Sequence, residues 1–388
     1  KSILSILLLL LVLIQFKLNA QVQSHQNSVI EYLGRMAQKG KIEFNDFIKP
    51  IDRKTIYQKL IELEDKKNEL SQIEITELNF FLLGFVLENP QWKQLEPKFA
   101  SAKRFFSSPF IQQNLYSYKD KDFGLIINPV GNLTIETHNG KSNMIQGKGL
   151  QFIGYAGKYI GFQMSFLDMT EQGRFDSTRW DNELPGFVRK TTINPEILNY
   201  SQMNASISLK LNKTILTIGQ DQHIMGYGSL GNIILSAKSP AYPFYALQYQ
   251  PSKWLKFHYM HAWLQSGVLD TRASYDLNNN VYGGVRQQYI PKYFATHSVE
   301  IAATKGLSIN LGESMIYSDN LQLAYMLPIT FFKAFDNQKY GDNILSGSNG
   351  QFFLGFSSRN QLPNTHLYGQ VFIDEIRLGT IFDSGKSR

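Results

Sequence analysis

Residues 203–211 read Met-Asn-Ala-Ser-Ile-Ser-Leu-Lys-Leu and alternate apolar with polar or small side chains. The apolar positions are Met203, Ala205, Ile207, Leu209 and Leu211, and the intervening ones are Asn204, Ser206, Ser208 and Lys210. Because successive side chains of a strand point to opposite faces, this pattern predicts a β-strand with one apolar and one polar face. Residues 255–263 and 293–304 repeat it. From about residue 122 onward, the sequence therefore predicts a succession of such strands.

The connections between these strands alternate in length. The short ones fall at 157–158, 212–213, 251–253, 305–306 and 359–364, and the long ones at about 138–147, 170–198, 223–241, 266–290 and 318–346. In a transmembrane up-and-down barrel the periplasmic turns stay tight while the surface loops grow. A soluble β-sandwich would mix loop lengths and turn its apolar faces into its own core. The alternation favours a mainly β fold, an antiparallel up-and-down transmembrane β-barrel over residues 122–388.

We expect this barrel to be incomplete at the C-terminus. Eleven candidate strands can be traced, and the last, at about 365–378, is followed by no terminal aromatic strand. Bacterial single-chain barrels have an even strand number and pair their first strand with their last. The sequence therefore predicts an open seam between the strand at 122–137 and the last one, through truncation or because further strands come from elsewhere.

Composition agrees with an exported barrel. Aromatic residues make up 13% of the chain and charged residues only 18%, yet mean hydropathy is −0.24, whereas globular proteins carry about 25% charged residues. The chain has no Cys, which excludes disulfides and thiolate sites. Its net charge of +7 is spread out rather than clustered, so nucleic acid is not an expected partner.

The first twenty residues predict a secretory signal peptide, residues 1–20. Lys1 precedes an apolar run over residues 3–14, and the small Ala20 precedes Gln21. The run is well short of the ~20 residues that a spanning helix needs. An uncleaved membrane anchor is the alternative. Together with the predicted barrel, a signal peptide predicts a location in the outer membrane of a Gram-negative bacterium.

Residues 21–90 predict a small helical domain in the periplasm. Val29, Leu33 and Met36 share one face of a first helix, Asp52 is a cap for a second, and a third is expected from about Glu74 to Leu87. Residues 91–121, rich in Pro and polar residues, are expected to form a linker to the barrel. Nothing in the helical domain suggests catalysis.

A glycine motif at residues 226–231, Gly-Tyr-Gly-Ser-Leu-Gly, matches the pattern of dinucleotide-binding loops only weakly. That motif needs a helix directly after it, and Pro240 and Pro243 cut any helix short. We expect Gly226, Gly228 and Gly231 to be structural residues of a tight loop.

The sequence supports no enzyme, metal site or cofactor. His258 and His261 lie three apart in one strand and so point to opposite faces, which excludes a shared metal ion within that strand. The adjacent residues Asp374 and Glu375 diverge in the same way. We therefore expect a non-enzymatic protein.

The most unusual segment is 219–243. Amide, carboxylate and imidazole groups stand beside a tyrosine and are followed by the apolar residues 233–235, which predicts a loop that folds inward. Planar hydrogen bonding and stacking suit sugars, so the candidate carbohydrate-binding residues are Gln220, Asp221, Gln222, His223 and Tyr227. The alternative is that these groups only tie the loop down.

Residues 219–247 (GQDQHIMGYGSLGNIILSAKSPAYPFYAL), 254–266 (WLKFHYMHAWLQS) and 367–376 (LYGQVFIDEI) resemble the Wzi-type capsule-assembly proteins. Residues 39–64 are similar to the helical part of members with a larger N-terminal domain. The resemblance implies an outer-membrane barrel with a periplasmic helical part and a lectin-like role in capsule or surface polysaccharide assembly or attachment. It implies surface polysaccharide, outer-membrane lipid and a periplasmic protein as partners. A porin-like channel or transporter, or an accessory subunit of a secretion or gliding machine, remains an alternative.

Overall fold

In the computed structural model, the residues whose structure is described are 22–23, 28–91, 95–99, 114–138, 141–173, 188–191, 197–228, 231–236, 239, 241–277, 284–340 and 348–374. The predicted signal peptide, residues 1–20, and all residues after 374 lie outside this set.

Three helices form the N-terminal part: α1 Ser28–Gln38, α2 Arg53–Asp65 and α3 Gln72–Leu83. As predicted, Asp52 caps α2, and its carboxylate accepts a backbone hydrogen bond at 3.1 Å. α3 begins before the predicted Glu74 because Ser71 forms a capping box with that residue. It also ends at Leu83 rather than near Leu87. No helix in the described part of the chain is both long and apolar enough to cross a membrane.

The three helices share a buried apolar core that includes Leu33, Leu60 and Leu78. The segment after α3 is fastened back onto α2 by the buried pair of Arg53 and Glu88, whose Nε and Oε1 atoms lie 2.6 Å apart. These contacts make residues 28–91 one packed helical domain.

The described strands are β1 Val22–Gln23, β2 Ile48–Lys49, β3 Ile51–Asp52, β4 Leu95–Phe99, β5 Tyr116–Lys119, β6 Phe123–His138, β7 Lys141–Ala156, β8 Ile160–Gly173, β9 Val188–Thr191, β10 Ile197–Leu211, β11 Thr214–Asp221, β12 Ile224–Met225, β13 Tyr242–Tyr249, β14 Leu255–Leu269, β15 Tyr275–Leu277, β16 Gly284–Arg286, β17 Tyr289–Thr304, β18 Leu307–Ser318, β19 Asn349–Arg359 and β20 His366–Asp374. A 3₁₀ turn, Leu323–Met326, and helix α4, Phe332–Tyr340, lie between β18 and β19.

One sheet of 14 strands dominates the fold, in the order β20-β19-β18-β17-β14-β13-β11-β10-β8-β7-β6-β5-β4, with β9 beside β10. Every neighbouring pair is antiparallel. The tight turns at 212–213 and 305–306 are separated by an even number of strand reversals and so lie at the same end of the sheet. The predicted mainly β, antiparallel up-and-down fold is confirmed.

The sheet differs from the prediction at its N-terminal edge. β4 and β5 lie within residues 91–121, which were expected to form a linker, and they extend the sheet beyond β6. Among the described strands no ladder joins β20 to β4 or to β6, so the strand order is open in this part of the chain.

The predicted long connection at 138–147 is wrong. β6 and β7 are paired along their whole length up to His138 and Lys141. Residues 141–147 combine five polar or small residues with the adjacent pair Met144 and Ile145, so no alternation marks this stretch, but it continues the strand.

The sheet curls around the helical domain. Lys119 of β5 donates to the carbonyl oxygen of Leu87 at 2.8 Å, and Arg359 of β19 donates to that of Phe44 at 2.7 Å. β5 and β19 are ten steps apart in the strand order, which is about 48 Å in a flat sheet at ~4.8 Å per step. A domain of about 60 residues is only about 27 Å across. The sheet therefore curves as a barrel wall does.

The two faces of the curled sheet have inverted polarity. In β10, the outward side chains Ile207 and Met203 are 61% and 45% exposed, whereas the inward Ser206 and Ser208 are 5% and 1% exposed. The same outward apolar exposure occurs at Ile135, Leu150, Phe166, Ile218, Leu311, Phe356 and Val371. Inward-facing Asn310 and Gln351 are buried. A soluble sandwich would show the opposite arrangement.

Candidate functional site: two segments inside the curled sheet

Two segments meet inside the sheet, and we call them together the plug. One is residues 44–52, between α1 and α2, and the other comprises the described residues of 222–236, between β11 and β13. They pair as short antiparallel strands, β2 with β12. The Gly226 N–H donates to the carbonyl oxygen of Phe47 at 2.8 Å, and the Met225 N–H donates to that of Leu235 at 3.0 Å. The inward folding expected for the second segment is present in the structure.

The centre of the plug is aromatic and apolar. Phe47 is fully buried, with ring centroids 5.0 Å from Tyr227 and 6.5 Å from Phe353 of β19. Met225 completes the cluster. We call the curled sheet around the plug the wall. At Gly355 of β19 the wall comes so close to the plug that an added Cβ would lie 2.6 Å from the Phe47 ring. Glycine at this position permits the contact.

An ion pair ties the plug to the wall. Arg359, at the end of β19, donates to the carbonyl oxygen of Phe44 and to Oδ1 of Asp46, each at 2.7 Å. Lys49 Nζ lies 3.4 Å from the other carboxylate oxygen. Burial alone would raise the pKa of Asp46, but the two cations outweigh it and hold that pKa below its usual value. Asp46 is thus a charged anchor.

Gln220, expected to face the lumen or a surface groove, does not face the interior. It lies in β11, which continues to Asp221. The period of two therefore sends Gln220 outward, on the same face as the exposed Ile218, and turns Asp221 inward.

The other predicted carbohydrate residues are buried, Asp221 at the end of β11 and the remaining three, Gln222, His223 and Tyr227, in the plug. Asp221 accepts a hydrogen bond from the Gln222 N–H at 2.8 Å, and the Gln222 amide donates to the carbonyl oxygen of Ser239. The His223 ring packs edge-on against Phe244, with 4.2 Å between centroids. Tyr227 is only 5% exposed. The four side chains are buried in different surroundings, with His223 against Phe244 and Tyr227 against Phe47, which favours the alternative that they tie the loop down.

Two of the three predicted structural glycines have a clear steric reason. Gly226 has a φ of +143°, and a Cβ there would lie 2.3 Å from the Gln370 amide nitrogen. At Gly228 a Cβ would lie 1.8 Å from the carbonyl oxygen of Gly231. Gly231 itself has open space around it.

A cavity of about 230 Å³ lies between the plug and the wall. It is lined by the pair Lys210 and Asp52, 2.9 Å apart, and by Glu300, which lies 3.7 Å from Lys256 and 3.6 Å from His258. These groups were not proposed from the sequence. All four residues contributed by the sheet, Lys210, Lys256, His258 and Glu300, are charged or imidazole groups at the polar positions of predicted strands, and that was the available signal.

The two strand histidines lie on opposite faces, as predicted. His258 lines the cavity, whereas His261 is bonded to the Tyr317 hydroxyl at 2.8 Å on the other face. Within the described residues, no group of three or more His, Asp and Glu side chains is placed to hold a metal ion.

Comparisons with known proteins found little. No family model matches the chain, and no curated protein matches it. Among solved structures, it is similar to the crystal structure of a Pseudomonas aeruginosa FadL homologue, with 12% identity and a TM-score of 0.29. The match covers 65% of this chain and 65% of that one, slightly less than two thirds of either.

Proposed function

We propose that this chain forms the wall of an outer-membrane β-barrel with its helical domain in the periplasm. The observation that carries this proposal is the inverted polarity of the curled sheet. Exposing a side chain such as Ile207 to water rather than lipid costs about 1.5–3 kcal/mol, and the outward face presents such residues on strand after strand. This cost is absent when the outward face contacts the hydrocarbon chains of a bilayer.

The position of the helical domain supports this orientation. Its contacts reach the end of the sheet that has the tight turns. The Gln38 amide donates to the carbonyl oxygen of Asn364 at 2.7 Å, and Lys210, beside the 212–213 turn, pairs with Asp52. Tight turns are periplasmic in outer-membrane barrels, so the long connections would reach the cell surface.

Within that architecture, we propose a non-enzymatic role in holding or assembling surface polysaccharide. Two features support it: the plug lies inside the curled sheet, and residues 219–247 and 367–376 resemble the capsule-assembly proteins. The sugar contact is better placed on the surface hairpin β15–β16 than on the buried Asp221 and Tyr227. Tyr275, in β15 of this hairpin, and Tyr289, at the start of β17, are exposed, and such rigid amphipathic rings suit sugar faces.

The test is the double variant Tyr275→Ala and Tyr289→Ala in the producing cell. We expect cell-bound polysaccharide to fall several-fold while the amount of protein in the membrane stays normal. The matched control is Leu277→Ala, because Leu277 is an exposed apolar residue of the same hairpin. Normal retention in the double variant would overturn the assignment of the sugar contact.

A transporter is the second candidate, and the charged cavity beside the plug favours it. Transport would require the plug to move, because residues 44–52 and the described residues of 222–236 lie inside the sheet. Ion conductance of the purified protein in planar lipid bilayers separates the two candidates. A sealed wild-type protein supports the holding role, and steady conductance supports the transporter.

A further inference from the structure

Residues 319–340, which we call the strap, contain the 3₁₀ turn and α4. They belong to a long connection, but they fold back over the outward face of the sheet instead of standing above it. The Tyr259 hydroxyl of β14 donates to the carbonyl oxygen of Tyr325 at 2.9 Å, and the Tyr245 hydroxyl of β13 donates to that of Met326 at 2.9 Å.

The face beneath the strap is the outward one. Phe244, next to Tyr245 in β13, contacts His223 of the plug and therefore faces inward. The period of two turns Tyr245 and its strand partner His261 the other way. The strap thus covers a part of the wall that belongs to the proposed lipid-facing surface.

The strap covers a polar pair on this surface. Glu313 of β18 lies opposite His297 of β17 in register, with Oε1 and Nε2 3.1 Å apart. The same carboxylate accepts the backbone N–H of Phe332 at 2.7 Å, at the start of α4. Glu313 is 4% exposed. Its hydrogen bonds are therefore made to the strap and to the neighbouring strand.

The position of Glu313 and His297 along the normal of the proposed membrane explains why this pair needs a cover. Glu313 is seven residues from the tight turn at Gly306, which is roughly 15–20 Å along the membrane normal for a tilted strand. That is near the middle of a hydrocarbon layer about 30 Å thick. A polar pair left open to lipid there would be strongly unfavourable.

The outer side of the strap is apolar. Leu323, Leu327, Ile329 and Phe331 are exposed, Ile329 to 91%, whereas Tyr325 and Phe332 are buried against the wall. The strap also satisfies its own backbone locally: the N–H groups of Tyr325, Leu327 and Thr330 donate to carbonyl oxygens three residues earlier. Tyr245 and Tyr259 satisfy two further carbonyls. Satisfied backbone polar groups are what lipid requires.

We propose that the strap is inserted in the bilayer, with Leu323, Leu327, Ile329 and Phe331 against the acyl chains and the Glu313–His297 pair sealed beneath it. This inference rests on the proposed outer-membrane location. It extends the lipid-contacting surface from the strands to a helical connection.

The absence of Cys from the chain allows a clean test with single-cysteine variants. Ile329→Cys is labelled with an environment-sensitive fluorophore, and the protein is placed in phosphatidylcholine vesicles. Quenching by brominated acyl chains is compared with quenching by aqueous iodide. Ile207→Cys on β10 is the control for a lipid-facing strand, and Ala273→Cys, in the exposed loop after β14, is the control for water.

We expect the label at 329 to follow the label at 207, with strong quenching by brominated lipid and several-fold weaker quenching by iodide than at 273. If brominated lipid quenches the label at position 207 while iodide quenches the label at position 329, the strap proposal is overturned and the barrel proposal stands. If 207 itself responds only to iodide, the membrane location is overturned, and the strap proposal with it.

Discussion

Replacing Arg359 with alanine should weaken the attachment of the plug to the sheet. The guanidinium makes two 2.7 Å hydrogen bonds to the plug, and without it Asp46 keeps only Lys49 at 3.4 Å. Removing one partner of a buried ion pair costs about 3–5 kcal/mol. Because these bonds join the wall to the plug, most of that cost falls on the seated state of the plug. Even 3 kcal/mol shifts the equilibrium toward the released plug by roughly 100-fold.

The assay uses Met225→Cys as a reporter, because Met225 is buried in the plug and the chain has no other thiol. In the Arg359→Ala background, the rate of reaction with a water-soluble maleimide should rise by roughly 100-fold, in proportion to the released population. The matched control is Arg272→Ala, an exposed arginine in the loop after β14. A rate within twofold of the unsubstituted background would refute the role of Arg359 as the anchor.

The same pair should make plug release dependent on pH. The pKa of Asp46 is held below its usual value of 3.8 by Arg359 and Lys49, against the effect of burial. A carboxyl with a lowered pKa in the folded state stabilises that state above its unfolded pKa, and the contribution is lost as pH falls through the folded pKa. Bilayer conductance of the wild type should therefore rise below about pH 4. A flat profile from pH 6 to pH 3 would contradict this.

Three further outcomes are expected. Gly355→Ala should lower the free energy of unfolding by about 1–3 kcal/mol through overpacking against Phe47. The control Gly231→Ala should be close to neutral, because the space around Gly231 is open. Equal midpoints of thermal unfolding for the two variants would contradict the steric argument. Glu313→Ala should loosen the strap, so that a fluorophore on it becomes several-fold more accessible to iodide, and unchanged accessibility would show that the carboxylate does not hold it. Ser71→Ala should cost about 1 kcal/mol through loss of the helix cap, measured by urea unfolding of the full chain followed by circular dichroism at 222 nm.

The sheet was predictable from the sequence because its signal is local. Alternation in residues 203–211 sets both the strand and its two faces, and the tight turn after it carries Asn212 with a φ of +51°, a conformation that asparagine tolerates. Helix α2 was predictable for the same reason, since its cap Asp52 is adjacent in sequence. The outward direction of the apolar faces was predictable only indirectly, from the alternation of short and long connections.

The plug was predictable only in part because its two halves are far apart in sequence. The apolar residues 233–235 indicated an inward loop, but nothing near residues 44–52 indicated its partner. Phe47 and Ile48 read as an ordinary linker between helices. The prediction for Gln220 failed because Gln220 and Asp221 were grouped as one site, whereas adjacent residues of a strand point to opposite faces of the sheet. The strap was missed for a related reason, since a long connection does not reveal the face on which it lies.

The energetics of the plug bear on the choice between a holding and a conducting role. Withdrawal of residues 44–52 would expose Phe47 and uncover its contacts on Met225 and Phe353, all of them buried. At about 1.5–3 kcal/mol for each buried side chain, these three oppose opening by roughly 5–9 kcal/mol. Thermal fluctuation alone would then open fewer than about one molecule in a thousand. A transporter with this plug would need a ligand or a periplasmic partner to supply that free energy, whereas a protein that holds polysaccharide at its surface loops functions with the plug in place.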